Sequence, residues 1–319
     1  MKKILTIALV LCLLATALAG CGSSAPAADP TAAPTEAPAK AAAEPTAEPT
    51  AEPAAEAGKL IVGFDAEFPP FGYIAEDGSY DGFDLALAQE VCARLGWEYE
   101  AVAIDWASKD AELKAGNINC IWNGFTCTGR EDQYTWSDAY VDNSIVAIVR
   151  ADSGIESLAD LAGKTVMVQS ASSGLDALTA NEELTASFGE LVQLPDYNTG
   201  FLELRQGTVD AVVVDVGVGN YQIANTEGDY VILSEPISVE QYAVGFYLGN
   251  ETLRDAVNEQ LLAMAEDGTM MSIAEKYVDK GLSLDSLCLC KLYFPRLDIP
   301  ARRCKSVSAP TCLRKGPIR

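Results

Sequence analysis

Short apolar runs alternating with stretches of helical spacing constrain this chain more than any other feature. Lys59 to Phe64 (KLIVGF) reads as a buried strand with a turn-rich exit, DAEFPPFGY. After the turn EDGSYDG a helix is expected from about Phe83 to Leu95, with Leu85, Ala88, Cys92 and Leu95 on one face and Gly96 as its stop. A second strand is expected at Tyr99 to Ile104, a short helix at Trp106 to Ala115, and a third strand at Ile118 to Trp122. Strand, helix, strand, helix, strand is the pattern of a parallel sheet covered by helices. The rhythm restarts at 145 with strands at Ile145 to Val149, Thr165 to Val168, Leu191 to Leu194 and Ala211 to Val214, separated by helices opening at Ser157, Ser172 and Asn198. Two such α/β units imply two lobes. A further strand at Tyr242 to Leu248 and helices at Glu251 to Glu266 and Thr269 to Tyr277 follow.

Charge and composition narrow the function. A net charge of -24 argues against nucleic acid, whose phosphates such a chain repels. The chain has no histidine, which removes Ser-His-Asp, Cys-His and His-zinc chemistry. No phosphate-binding glycine loop of the P-loop kind is present. No metal, cofactor or catalytic residue is expected.

The ends of the chain differ from its middle. Lys2 and Lys3 precede an apolar run from Ile4 to Ala17 that is short for a membrane span and ends in small residues, so residues 1–20 read as an export signal. Leu18-Ala19-Gly20-Cys21 resembles a bacterial lipobox, which makes Cys21 the lipidated N-terminus and anchors the protein to the outside of the cell membrane. Residues 21–58 are rich in Ala, Pro, Thr and Glu, a composition that favours an extended tether. Residues 286–319 hold eight Lys or Arg against one acid, four cysteines and four prolines, and no periodicity, so a non-native or disordered basic tail is expected there.

Residues 123 to 138, NGFTCTGREDQYTWSD, carry the sharpest functional signal. The strand ending at Trp122 runs into Asn123-Gly124, the Thr126 hydroxyl and the single cation Arg130. A guanidinium matches a carboxylate with two parallel hydrogen bonds. The stretch resembles the G-x-T-x-T...R...(F/W)-S-D segment of family 3 bacterial extracellular solute-binding proteins, with one residue, Gly129, between Thr128 and Arg130 where the family usually has two. The resemblance extends over about Lys59 to Asp285 through P-P-F (Pro69 to Phe71), D-G-x-Y-D-G-F-D (Asp77 to Asp84), L-x-x-G (Leu113 to Gly116), L-A-G-K (Leu161 to Lys164), V-D-A-V-V-V-D (Val209 to Asp215) and D-G-T...I-A-E-K-Y (Asp267 to Tyr277).

That resemblance implies a two-lobed α/β fold of the type II periplasmic-binding-protein kind, with two parallel-core sheets joined by two hinge strands. Residues 59–147 plus 242–285 would form one lobe and 148–241 the other. It implies delivery of a polar amino acid to the permease of an ABC importer by a monomer. An enzyme on the same scaffold, of the cyclohexadienyl-dehydratase kind, and a ligand-sensing partner of a membrane receptor are the alternatives.

Strand ends supply the candidate site, because ligands of open α/β sheets bind outside the carboxyl ends of strands. Asp65, Asn123-Gly124-Thr126, Gln169-Ser170 and Asp215 each follow a strand directly. Carried over by resemblance, Arg130 forks an α-carboxylate with backbone N–H groups of Thr126 and Ser173. Ser172 and Ser173 open a helix whose first amides are free. Asp215, the Thr126 hydroxyl and the Gly124 carbonyl take the α-ammonium, while Phe68 and Trp106 sandwich the side chain. Asp65, Glu67 and Gln169 give the side-chain pocket a polar lining that favours a polar or cationic amino acid, or cystine. Each residue also has an ordinary role: Asp215 as a helix N-cap, Arg130 in a surface pair with Glu131 or Asp132, and the two aromatic rings as core. Cys92 reads as core, and whether Cys120 and Cys127 pair is left open by their spacing.

Overall fold

The computed structural model describes residues 58–226 and 228–293. The export signal, Cys21, the tether up to residue 57 and the tail beyond Tyr293 lie outside the described residues.

The chain begins with β1 (Lys59–Phe64), followed by three short strands, β2 (Glu67–Phe68), β3 (Gly72–Ile74) and β4 (Tyr80–Asp81), and by α1 (Phe83–Leu95). Next come β5 (Glu98–Ala103), α2 (Lys109–Ala115), β6 (Cys120–Ile121) and β7 (Thr135–Trp136). β1 lies between β5 and β6, parallel to both. Leu60, Val62 and Phe64 are fully buried, as a central parallel strand covered on its faces requires.

The long strand β8 (Val141–Arg150) leads into the second lobe. There β9 (Thr165–Gln169), α3 (Ser173–Ala180), α4 (Glu182–Ser187), β10 (Glu190–Leu194), α5 (Tyr197–Gln206), β11 (Ala211–Asp215), α6 (Val216–Ala224) and β12 (Tyr230–Ile232) build a sheet ordered β10-β9-β11-β8-β12. β13 (Ser238–Tyr242) pairs with the first half of β8, Val141 to Ile145. β14 (Gly245–Phe246) then joins the first sheet between β6 and β7, giving the order β5-β1-β6-β14-β7. The two chain crossings between the lobes are therefore hydrogen-bonded to each other. α7 (Glu251–Asp267), α8 (Thr269–Ala274) and α9 (Cys288–Tyr293) complete the described chain.

Several expectations change. The sheets are mixed: β8 runs antiparallel to β11, β12 and β13, and β14 antiparallel to β6 and β7, because each crossing reverses direction before it pairs. The strand expected at Tyr242 to Leu248 divides into β13 and β14. Val244 there serves the Ser137 side chain and backbone rather than a ladder. The loop expected after Phe64 forms the small β2-β3-β4 sheet. Disorder expected from residue 286 does not extend to Tyr293. Leu287, Leu289 and Cys290 are buried, and Lys291 pairs with Asp142 of β8 at 2.9 Å.

The lobes touch along a tightly fitted seam. A Cβ on Gly217 at the start of α6 would sit 2.8 Å from the Phe71 ring of the other lobe. The ring also packs against Tyr242, edge-on at 5.2 Å between centroids. Replacing Gly217 with valine is expected to hold the lobes apart without unfolding either. Small-angle scattering should then show a larger radius of gyration in saturating ligand than the parent has, with an unchanged far-ultraviolet spectrum.

A cleft with a cation on one wall and two acids behind the other

The seam holds a narrow pocket lined by Phe68, Trp106, Asn123, Gly124, Thr126 and Arg130 from the first lobe and Gln169, Ser172, Ser173 and Asp215 from the second. Ten of the eleven expected ligand-binding residues thus meet at one space. The exception is Asp65, which faces an adjoining hollow with Glu67, Asp105 and Asp196, reached past Trp106.

The first-lobe wall is built by the loop after β6. Asn123 is buried and its Oδ1 accepts the Asp65 amide at 3.0 Å. Gly124 has φ +55, and a Cβ there would meet Phe68 at 2.7 Å, so only glycine suits the position. Its amide donates to Asp84 Oδ2 at 2.6 Å. Arg130, almost fully buried, lies over the Phe125 ring at 5.5 Å. It pairs not with Glu131 or Asp132 but across the cleft: Nε and Nη2 donate to Asp176 Oδ2 of α3 at 3.2 and 2.7 Å. Its remaining N–H groups stay available for a second carboxylate. Trp106 packs edge-on against Phe125, so it is cavity wall and core at once.

The second-lobe wall comes from strand ends and one helix start. Gln169 Nε2 donates to Asp65 Oδ2 at 2.6 Å and to the Pro195 carbonyl at 2.9 Å, a further tie between lobes. Ser172 is the N-cap of α3, its Oγ accepting the Leu175 amide at 3.1 Å. Asp215 occupies the N-cap position of α6 yet caps no amide with its side chain. Instead its Oδ1 accepts Asn143 Nδ2 and the Tyr242 hydroxyl, both at 2.6 Å. Asp210, at the entry to β11, has a plain structural role, accepting the Thr165 amide at 3.0 Å.

Behind this wall stands a residue that the sequence pattern did not single out. Glu240 of β13 is buried, and its Oε1 accepts Thr126 Oγ1 at 2.6 Å, Asn143 Nδ2 at 2.7 Å and Ser173 Oγ at 3.1 Å. Asp176, Asn143 and Lys109 were likewise missed. Lys109, nearly buried, donates to the Ala171 carbonyl of the other lobe at 3.0 Å. Nothing short-range marks these four, since their partners lie dozens of residues away.

A profile of bacterial extracellular solute-binding proteins, family 3, matches residues 60–280. The chain belongs to this family. The L-cystine-binding protein TcyJ of Escherichia coli is 29% identical over 226 residues, 69% of this chain and 82% of that one. The arginine-binding extracellular protein ArtP of Bacillus subtilis is 29% identical over 223 residues, 69% and 86% of the two chains. A solved ABC uptake transporter substrate-binding protein from Streptococcus pneumoniae, with bound histidine, superposes with a TM-score of 0.68 at 31% identity, covering 71% of this chain and 95% of that one. The fold of this family 3 protein is accordingly the two-lobed type II periplasmic-binding-protein architecture.

Burial shapes the acids of the family 3 cleft. Loss of water, reinforced by neighbouring Glu240, pushes the Asp215 carboxyl up to about 7. Desolvation alone does the same to Asp84, also to about 7. Glu67 rises to about 7 through desolvation and the nearby Asp196. In each case the folded protein holds a proton that the unfolded chain has released, so the contribution to stability is complete below the ordinary carboxylate range and disappears as pH rises through about 7. The ligand-free protein is therefore expected to melt several degrees lower at pH 8 than at pH 5. Asp215→Asn should flatten that slope in differential scanning calorimetry at a series of pH values.

Proposed function

We propose that this protein is an extracytoplasmic receptor that closes around one amino acid and presents it to the permease of an ABC importer. The observation that carries the reading is the enclosed space between lobes, bordered by the Arg130 guanidinium on one side and the Asp215 carboxylate on the other. A zwitterion brings one charge to each, and a dry cleft must match every buried charge because burying an ion alone costs several kcal/mol. Arg130, already oriented by Asp176, takes the α-carboxylate with the free amides at the start of α3. Asp215 takes the α-ammonium. Similarity to proteins named for cystine and arginine, and to one solved with histidine, supports an amino acid as the guest.

The side chain of the guest extends past Trp106 toward the hollow holding Asp65, Glu67, Asp105 and Asp196. That acidic surrounding favours a cationic or donor-rich side chain over an aliphatic one. A lipidated Cys21 and the tether after it keep the receptor at the outer face of the cell membrane as a monomer, free to reach its permease. Ligand contacts on both walls lower the free energy of the closed form alone, which is what drives hinge closure. An enzymatic role would require turnover, and a binding protein of this design returns its guest unchanged.

Isothermal titration against the twenty amino acids, cystine and ornithine tests the reading. Binding is expected to be tightest for arginine, lysine, ornithine, histidine or cystine, and tightest binding of leucine would overturn the side-chain assignment. Arg130→Ala should cost more than about 3 kcal/mol of binding free energy while leaving the melting profile cooperative, because a carboxylate would be buried without its partner.

A further inference from the structure

Glu240 lies behind the cleft on β13, one of the two strands that join the lobes, and it gathers hydroxyls from both sides. Thr126, from the first lobe, and Ser173, from the second, both line the cavity, and both donate to Glu240 Oε1, at 2.6 and 3.1 Å. A hydroxyl carries a single proton. With that proton committed to Glu240, each oxygen has only lone pairs left to offer the cavity. Asp215, once an ammonium beside it has displaced its proton, faces the same space with acceptors alone, and its Oδ1 and Glu240 Oε1 draw on one amide group of Asn143, at 2.6 and 2.7 Å.

We propose that Glu240 is a positioning residue that makes this end of the cleft acceptor-only, and so selects a guest with a multiply donating primary ammonium over one bearing a hydroxyl in the same place. The inference rests on the reading of the cleft as an amino-acid site and names the feature that enforces it. Three acceptors, Thr126 Oγ1, Ser173 Oγ and Asp215, are satisfied together by an N–H₃⁺ group, whereas a hydroxyl supplies one proton and leaves the others facing a lone pair. Because the two oriented hydroxyls come from different lobes, the selection is complete only when the lobes are closed. A carboxylate on the hinge is suited to this task, since it is reached from either lobe without moving with only one of them.

The test compares affinities of amino acids with their α-hydroxy counterparts: L-arginine with argininic acid, L-histidine with imidazolelactic acid, and L-cystine with 3,3′-dithiodilactic acid. The parent protein is expected to favour the amino acid by at least about a hundredfold in the pair that binds. Glu240→Leu frees both hydroxyl protons, and the preference should drop below about tenfold. Thr126→Val should lower the preference too, and the double variant should lose no more than Glu240→Leu does alone, since Glu240 acts through the hydroxyls. Glu240→Gln, which keeps an acceptor oxygen on the same stem, should restore part of the preference. Should Glu240→Leu not fold, Thr126→Val and Ser173→Ala in the parent carry the test, each expected to cut the preference severalfold. An undiminished preference in the folded variants would overturn the role of Glu240 and leave the amino-acid reading standing. Binding of none of the three amino acids by the parent would sink that reading and this inference together.

Discussion

Two buried carboxylates, Asp215 and Glu240, lean on one side-chain amide, Asn143, at the place where both chain crossings meet the cleft. Much of the molecule follows from that arrangement. Loss of water and the neighbouring charge of Glu240 push the Asp215 carboxyl up, so the site is costly until a cation or a proton arrives. The cost is tolerated because it is localised: Tyr242, Thr126 and Ser173 supply the remaining hydrogen bonds, and the strands that carry the pair are locked in a sheet. Buried strain of this sort is common where function requires a strong preference for one guest.

The hinge gives the site its reach. β8 and β13 pair over five residues at their lobe-joining ends, and residues of both contribute to the acid cluster, Asn143 from one and Glu240 from the other. Around it, contacts that cross the seam do separate jobs. Arg130 to Asp176 orients the guanidinium, Gln169 to Asp65 couples the cavity to the acidic hollow, and Lys109 to Ala171 fastens the rim. Ala171 has φ +56, an uncommon conformation for a residue with a side chain, which turns its carbonyl toward that lysine. Polar ties of this kind are more reversible than a large apolar interface, as a protein that must release its guest requires.

Local pattern made much of the cleft legible. Asp65, Thr126, Gln169 and Asp215 follow strands, and strand ends in open α/β sheets converge on one edge, so their position was implied by the alternation of apolar runs alone. Arg130 was conspicuous as the single cation in its motif. Their partners were not. Arg130 stands beside Glu131 and Asp132 in sequence and yet turns to Asp176, because folding buries its side chain against Phe125 while Glu131 is occupied at the Gly129 amide. Asp215 looked equally suited to capping a helix, and only the hydrogen bonds from Asn143 and Tyr242 show its side chain turned elsewhere.

The sequence by itself determined the α/β class, the two units, the absence of histidine chemistry and the strand-end residues of the cleft, because these depend on periodicity, composition and the directionality of strands, whereas Phe68 and Trp106 were placed at the cleft by resemblance to the family. The tertiary structure decided the mixed direction of the sheets, the short strands β7 and β14, the packing of the chain to Tyr293 and the hydrogen bonds gathered by Glu240. Those depend on which surfaces meet across gaps of about a hundred residues, as with Thr126 and Glu240 at a separation of 114. A hydrogen bond of that span leaves no spacing rule behind it, since nothing in the chain between its ends records where they will meet.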